Sequence, residues 1–218
     1  MLLRCFCVSA LVVTPAAAVT VTFASLRGAP DPGLARGETL VAGFDRPHAA
    51  GVTDSSRGAV ITAAGSIGGV RAAPAGIGNS VYRSIGTGGS SVFDFTGWTR
   101  GHGLESFSVY WGSVDSYNFI DFLDIGGRQV ATVAGNALPL ANGNQTSAAT
   151  NRRVFFDFRP EQKVTQVRFR SDGAAFEFDN LGASAVVPEP ENWALLIIGF
   201  GLVGVLARRR QQREEVAG

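Results

Sequence analysis

The chain has 218 residues, and its 19 Lys and Arg nearly balance its 18 Asp and Glu, which gives a formal net charge of +1. Because the arginines are scattered through the body of the sequence, this composition excludes the basic stripe of a nucleic-acid-binding protein. With 28 glycines and 17% charged residues, it also disfavours coiled coils and charge-rich disorder and favours short strands joined by tight turns.

Residues 1–18 have the three-part layout of a secretory signal peptide. An arginine precedes an apolar run, and a proline separates that run from three consecutive alanines. Ala16 and Ala18 occupy the small-residue positions of a cleavage site, which predicts Sec-type export and cleavage by signal peptidase before Val19. The alternative is an N-terminal core helix, but a helix would not place a proline directly after its apolar run. Both cysteines lie in the segment removed, so we expect no thiol in the mature chain.

The C-terminal part of the sequence begins with an extended segment and continues with an apolar helix. Pro188 and Pro190 lack the N–H that a helix needs and bias the preceding residues away from helical backbone angles. The uncharged run 193–207 follows and would be about 22 Å long as an α-helix. The hydrocarbon core is roughly 30 Å thick, but an interfacial tryptophan and snorkelling arginines can extend the span. We therefore predict a single transmembrane helix at 193–207.

Three consecutive arginines close this helix and predict its orientation. By the positive-inside rule they place the short tail 214–218 in the cytoplasm and everything before the helix outside the inner membrane. The signal peptide predicts the same topology, because export delivers the preceding chain to that side. The arginine cluster consists of Arg208, Arg209 and Arg210.

Residues 188–213 resemble the PEP-CTERM sorting signal in its PEPxxWA form. The resemblance implies recognition by an exosortase, a membrane-embedded cysteine transpeptidase-like enzyme of Gram-negative bacteria that make exopolysaccharide. It implies that the segment anchors the chain transiently in the inner membrane, and that cleavage near the Pro-Glu-Pro motif passes the passenger to the cell surface. The alternative is a plain C-terminal anchor with a proline linker. Besides the arginine cluster, the motif residues are Pro188, Glu189, Pro190, Trp193 and Ala194.

Residues 19–187 remain as the passenger, which is long enough to bury one core. Apolar and polar residues alternate along it with period 2, and no segment shows a convincing period of 3.6, so we predict an all-β passenger folded as an antiparallel β-sandwich. Residues 119–125 and 129–133 are predicted to form a hairpin, and the last three strands a meander. We predict strands near residues 19–23, 92–95, 107–111, 119–125, 129–133, 154–158, 164–170 and 174–181, with surface loops at 27–37 and 134–151.

Parts of the passenger resemble known families. Segments 80–95, 110–118 and 176–180 resemble a family of exosortase-dependent surface proteins, a resemblance that implies no molecular activity. The last strand, which ends in Asp-Asn, resembles jelly-roll carbohydrate-binding modules. That resemblance implies a jelly-roll-like sandwich and a structural Ca²⁺ held by Asp45 and Asp179, since hard cations take oxygen ligands. The alternative is that the first acid is solvated and the second caps a strand turn.

Aromatic residues with polar groups concentrate between residues 93 and 122. Trp98, Tyr110 and Tyr117 are candidate glycan contacts, because sugars stack on such rings. Core packing is the alternative for these rings, and it is favoured for Trp111, which lies in an alternating strand.

The sequence offers little for catalysis. The two histidines have no metal-ligand spacing, and a G-x-S-x-G elbow is absent from the sequence. Asp115, Asp121 and Asp124 are candidate carboxylates of a glycosidase, but solvated or turn-capping acids are the favoured interpretation. We therefore predict a non-enzymatic surface or extracellular-matrix protein associated with exopolysaccharide or biofilm. The alternatives are a carbohydrate-binding jelly-roll module and, less favoured, a secreted hydrolase.

Overall fold

The computed structural model describes most of the passenger and part of the C-terminal segment. The described residues are 22–27, 29–145, 147–187, 196–204 and 208. The predicted cleavage site at Ala16, Ala18 and Val19 lies outside them. So do most of the sorting residues, namely Pro188, Glu189, Pro190, Trp193, Ala194, Arg209 and Arg210.

The described strands form two antiparallel sheets, as the period-2 pattern predicts. The first sheet has seven strands in the order β1, β10, β7, β12, β5 and β4, with β2 also paired to β12. Its strands are β1 Thr22–Arg27, β2 Thr39–Ala42, β4 Val60–Ala63, β5 Tyr82–Ile85, β7 Leu104–Gly112, β10 Arg152–Asp157 and β12 Phe176–Ala185.

The second sheet has five strands in the order β3, β6, β11, β8 and β9. Short 3₁₀ turns at Gly135–Ala137 and Pro160–Gln162 lie between strands. The strands of this sheet are β3 Thr53–Arg57, β6 Ser90–Asp94, β8 Asn118–Asp124, β9 Gln129–Ala134 and β11 Val164–Ser171.

Phenylalanine rings from both sheets form the core between them. Phe169 of β11 stacks on Phe178 of β12 with ring centroids 4.0 Å apart. Trp111 is fully buried and stacks on Phe176 at 4.5 Å, which confirms that it packs in the core. Burying such rings removes a large apolar area from water and stabilises the sandwich. The other fully buried phenylalanines are Phe93, Phe95, Phe107, Phe122 and Phe156.

Two predictions of strand connection have different outcomes. The hairpin is confirmed, since β8 pairs with β9 and Phe119 lies opposite Ala134. The meander is wrong, because β10 and β12 belong to the seven-stranded sheet whereas β11 pairs with β6 and β8 in the other. The alternation of apolar and polar residues in β11 fits a strand of either sheet, because both sheets have one face in the core. The pattern therefore does not predict that the chain passes from one sheet to the other between β10, β11 and β12.

Loops cover the outer face of the seven-stranded sheet. Loop 29–38 and loop 64–81 lie over β7, β10 and β12. They pack closely against the sheet because two of the strand residues beneath them are glycines without a side chain. A Cβ added at Gly112 would lie 2.8 Å from Pro74 Cγ, and one at Gly182 would lie 2.6 Å from a Leu34 methyl carbon. Polar side chains on this face are consequently buried.

The C-terminal segment is helical over residues 196–204. Its large apolar side chains are exposed. Within the ranges that the structure describes, no helix has the length and apolar character needed to cross a membrane.

Candidate functional site

β12 places two carboxylates under the covering loops. Phe176 and Phe178 point into the core, so Glu177 and Asp179 point to the opposite face of the strand. Both acids are almost fully buried, with 2% and 1% of their surface exposed. Burial penalises their charged forms and raises the pKa of Glu177 to about 7 and the pKa of Asp179 to about 6.

Glu177 is held by loop 64–81 and by the segment after β7. The backbone N–H of Ala72 donates to its Oε1 at 2.9 Å, and the Ser113 hydroxyl donates to its Oε2 at 3.4 Å. The charge of Asp115 adds to the rise in the pKa of Glu177. These contacts attach the Glu177 side chain to the loop above it and to the segment after β7.

Asp179 and Asp45 meet at the hydroxyl of Ser80. Asp45 follows β2, and its Oδ2 accepts from Ser80 Oγ while its Oδ1 accepts from the Val81 N–H at 2.9 Å. Asp179 Oδ2 lies 3.3 Å from the same Ser80 Oγ. One hydroxyl carries one proton, so it can donate to only one of these carboxylates, and a protonated Asp179 can donate to it in turn. The hydrogen bond from Ser80, with that from Val81, lowers the pKa of the exposed Asp45.

The predicted calcium site maps onto this Asp45–Ser80–Asp179 cluster. The two acids named from the jelly-roll resemblance therefore lie beside each other, with Ser80, which the sequence did not indicate, between them. Asp179 Oδ1 accepts from the Asn180 N–H at 2.7 Å and Asp45 Oδ1 from the Val81 N–H, and the remaining oxygen of each carboxylate contacts the Ser80 hydroxyl, which donates to one of them. Within the described ranges, no three acidic, histidine or cysteine side chains are arranged to hold a metal ion. The geometry therefore fits a hydrogen-bonded clasp better than a site for a cation that takes six to eight oxygens.

A buried arginine completes the face under loop 29–38. Arg153 of β10 is fully buried, and its Nη1 donates to the Asn180 carbonyl at 2.6 Å and pairs with Asp31 Oδ2 at 3.3 Å. Its Nη2 donates to Ser108 Oγ at 2.8 Å, and that hydroxyl in turn donates to Glu38. A buried guanidinium without partners would be costly, so these contacts fix loop 29–38 against the sheet.

The three candidate glycan residues occupy different environments. Tyr110 is fully buried on the covered face, and its hydroxyl donates to the Ala75 carbonyl at 2.5 Å, so its ring has no surface for stacking. Trp98 is half-buried against the core. Tyr117 is half-buried over Gly173 and donates to Asp115 Oδ2 at 2.7 Å.

The candidate glycosidase acids are also separated. Asp124 caps the β8–β9 turn, accepting from the Gly126 and Arg128 N–H groups at 3.0 and 2.9 Å, as the turn-capping interpretation predicts. Asp115 accepts from a tyrosine hydroxyl, and burial raises its pKa. Asp121 is not a solvated acid, because it is fully buried beneath two arginines of the neighbouring strand.

Those arginines define a second site on the outer face of the five-stranded sheet, which the sequence analysis missed. Asp121 Oδ2 accepts from Arg168 Nε at 2.9 Å and from Arg170 Nε at 3.0 Å. The Arg170 guanidinium lies 4.0 Å above the centroid of the Phe119 ring. The sequence pattern that could have predicted this site is the Arg-Phe-Arg alternation of β11, which places both arginines on the face opposite Phe169.

The folded passenger ends directly before the C-terminal segment. β12 ends at Ala185, and the Val186 N–H donates to the Gly103 carbonyl at 3.0 Å. The next residue, Val187, is 76% exposed.

Comparison with known proteins locates a family motif at this boundary. Residues 186–211 match the family model of the PEP-CTERM protein-sorting motif.

The chain carries a PEP-CTERM motif. The motif indicates an exosortase-sorted, cell-surface-directed protein, with exosortase as the processing partner. The match includes the Pro-Glu-Pro residues and the arginine cluster, and it begins one residue after the last strand.

The other comparisons add little. The search of curated proteins gives no match. Among solved structures, the one titled "Solution structure, dynamics and binding studies of CtCBM11" is 12% identical, covers 70% of this chain and 97% of its own, and has a TM-score of 0.23. A TM-score this low supports no conclusion about fold or ligand.

The calcium hypothesis can be tested by thermal unfolding. If Ca²⁺ binds at the Asp45–Ser80–Asp179 cluster, the melting temperature of the full chain rises with millimolar Ca²⁺ and falls with EDTA, because a ligand of the folded state stabilises it by mass action. D45N should abolish the response. A midpoint that is unchanged by either addition would contradict calcium binding and favour the hydrogen-bonded clasp.

The raised pKa of Glu177 predicts a pH-dependent stability. Between the ordinary pKa of 4.5 and the folded-state pKa of about 7, the folded protein holds a proton that the unfolded chain has released, so stability falls as pH rises. E177Q should reduce this slope by up to about 1.4 kcal/mol per pH unit, measured by urea unfolding between pH 5 and 7. E161Q, which alters an exposed acid, is the matched control. Equal slopes for E177Q and the wild type would contradict the prediction.

Proposed function

We propose that this chain is an exported, non-enzymatic surface or extracellular-matrix protein whose PEP-CTERM segment is a temporary membrane address. The Sec machinery and signal peptidase export residues 19–187, and the segment 188–213 anchors them in the inner membrane with the tail 214–218 in the cytoplasm. Exosortase then cleaves near Pro188 and transfers the passenger to the cell surface, where it associates with exopolysaccharide or biofilm.

The observation that carries this proposal is the coincidence of two boundaries. The motif match starts at residue 186, directly after β12 ends at Ala185. Because β12 pairs with β7, β5 and β2, a cut within the strand would break three pairings, whereas a cut near Pro188 leaves all of them intact. Removal of the C-terminal segment therefore leaves every strand pairing of β12 intact.

The finer fold assignment belongs to the same proposal. We assign the sandwich to the jelly-roll-like class, and the crossing of β10, β11 and β12 between the two sheets supports it. The non-enzymatic assignment is supported by the engagement of the candidate acids: Asp124 in a turn cap, Asp121 under two arginines and Asp115 with a tyrosine.

A second candidate function is a sugar-binding module. One observation favours it, namely the half-exposed pair of Arg170 and Phe119 on the outer face of the five-stranded sheet. A partly exposed face whose hydrogen-bond donors are held in place by an aromatic ring is suited to polyhydroxylated ligands.

Mass spectrometry of the surface form tests the sorting proposal. The wild-type protein, released from the surface of the native host, should begin at Val19 and end near Pro188. Replacing Pro188, Glu189 and Pro190 with alanine should leave the C-terminal segment attached and the protein in the membrane fraction. E191Q, which changes a position between Pro-Glu-Pro and Trp193, is the control and should be processed normally. Equal processing of the triple variant, or an unprocessed wild type, would contradict the proposal.

A further inference from the structure

Three arginines lie on the outer face of the five-stranded sheet, one on β3 and two on β11, the two strands that flank β6. Arg57 of β3 lies opposite Ser90 of β6, which in turn lies opposite Arg170 of β11. Strands in a sheet are spaced by about 4.8 Å, so Arg57 and Arg170 stand about 10 Å apart on one face. Arg168, two residues before Arg170, shares that face.

A shallow cavity lies beside the two arginines of β11, Arg168 and Arg170. It has a volume of about 210 Å³ and is bounded by the glycine turn before β6, by Ser90, by Arg168 and Arg170 and by Asp172. Cavities for drug-sized ligands begin at about 300 Å³, so this one is suited to a single small ring. Both arginines keep about a third of their side-chain surface exposed, at 34% and 33%.

The Arg170 guanidinium in this cavity is fixed in place but not saturated with hydrogen bonds, whereas Arg168 Nη2 contacts Gln129 Oε1 at 3.3 Å and Asp121 Oδ2 at 2.8 Å. Asp121 binds both Nε atoms and also accepts from Thr132 Oγ1 at 2.7 Å. As far as the described residues go, neither Nη atom of Arg170 makes a hydrogen bond, and the carboxylate of Asp172, which is itself 66% exposed, lies 3.8 Å from Nη1. The Phe119 ring holds the guanidinium plane from below. The donors are therefore held in position before any ligand arrives, which lowers the entropy lost on binding.

The incompletely bonded guanidinium of Arg170 favours an anion. The charges of Arg168 and Arg170, which line the cavity, are balanced by the buried Asp121 and the exposed Asp172, and Arg57 adds a further positive charge on the same face about 10 Å from Arg170. Asp94, a further acid on this outer face, in β6, accepts hydrogen bonds from the Thr96 N–H and from Gln166 Nε2. A guanidinium fork matches the planar geometry of a carboxylate better than an ammonium does. Ser90 and the glycine turn add the small polar groups that sugar hydroxyls can approach.

We propose that this surface binds the carboxylate of a uronic-acid residue in an acidic polysaccharide. The inference rests on the proposed function, because export is what brings the passenger into contact with polysaccharide outside the cell. The chain's formal net charge of +1 and the presence of only three arginines at this surface, among the described residues, disfavour nucleic acid, whose binding depends on many phosphate contacts.

Affinity electrophoresis of the full chain in nonionic detergent tests this proposal. Polygalacturonate in the gel should retard the protein, its fully methyl-esterified form should not, and added salt should weaken the retardation. Poly-glutamate serves as an acidic polymer without sugar and should retard the protein far less. Because the assay uses purified protein, its result is independent of whether exosortase processes the chain in cells.

Variants locate the binding surface. R170Q should weaken polygalacturonate binding by about tenfold or more, because it removes a charge-assisted hydrogen-bond donor. R170K should restore only part of the affinity, since it keeps the charge but not the fork. R128Q is the charge-matched control, because it replaces an exposed arginine at the β8–β9 turn that pairs with Asp124. Its affinity for polygalacturonate should stay within about twofold of that of the wild type.

Three results would overturn the proposal. Absence of retardation by polygalacturonate would exclude an acidic-polysaccharide site. Equal retardation by poly-glutamate would show charge attraction without sugar recognition. Equal losses for R170Q and R128Q, with unchanged melting temperatures, would place binding elsewhere on the protein.

Discussion

The alternation of side chains along β12 is the constraint on which this structure depends. The strand pairs with three neighbours, so every second residue must enter the core, where Phe176 and Phe178 meet the rings of Trp111 and Phe169. The residues between them, Glu177 and Asp179, are forced to the opposite face. Loops then bury that face. Burying carboxylates without hydrogen-bond donors would cost free energy, so the covering loops must bring donors to them. The loops supply the donors.

This arrangement gives the two faces of the sandwich different roles. The outer face of the seven-stranded sheet is closed by loops 29–38 and 64–81, and its polar groups bind one another. The outer face of the five-stranded sheet keeps its arginines partly exposed, and the single buried acid beneath them, Asp121, positions their guanidinium groups. A passenger whose one face is used for stability and whose other face remains accessible suits a protein displayed on a surface.

Sequence reasoning succeeded where the pattern is local. Alternation identified β7, β8, β9, β11 and the β8–β9 hairpin, and the spacing of prolines, apolar run and arginines identified the PEP-CTERM motif. It missed β3, Thr53–Arg57, because all five of its side chains are exposed and no apolar period marks it. The candidate site was likewise predicted only in part. The pairing of Asp45 with Asp179 was predicted from resemblance, whereas the roles of Ser80 and Arg153 could not be predicted because they arise from contacts between segments distant in sequence. No local pattern encodes which sheet a strand joins or which loop covers it.

The central claim is that the folded passenger stands outside the cell envelope while its C-terminal segment acts only as an address. Export would remove both natural cysteines, so a single cysteine introduced at the exposed Ser116 reports its location without interference. Intact cells of the native host producing S116C are treated with a membrane-impermeant maleimide, and the peptide containing residue 116 is analysed by mass spectrometry. The account predicts labelling in intact cells to the same extent as after lysis. Labelling only after lysis, with residues 1–18 still attached, would contradict it.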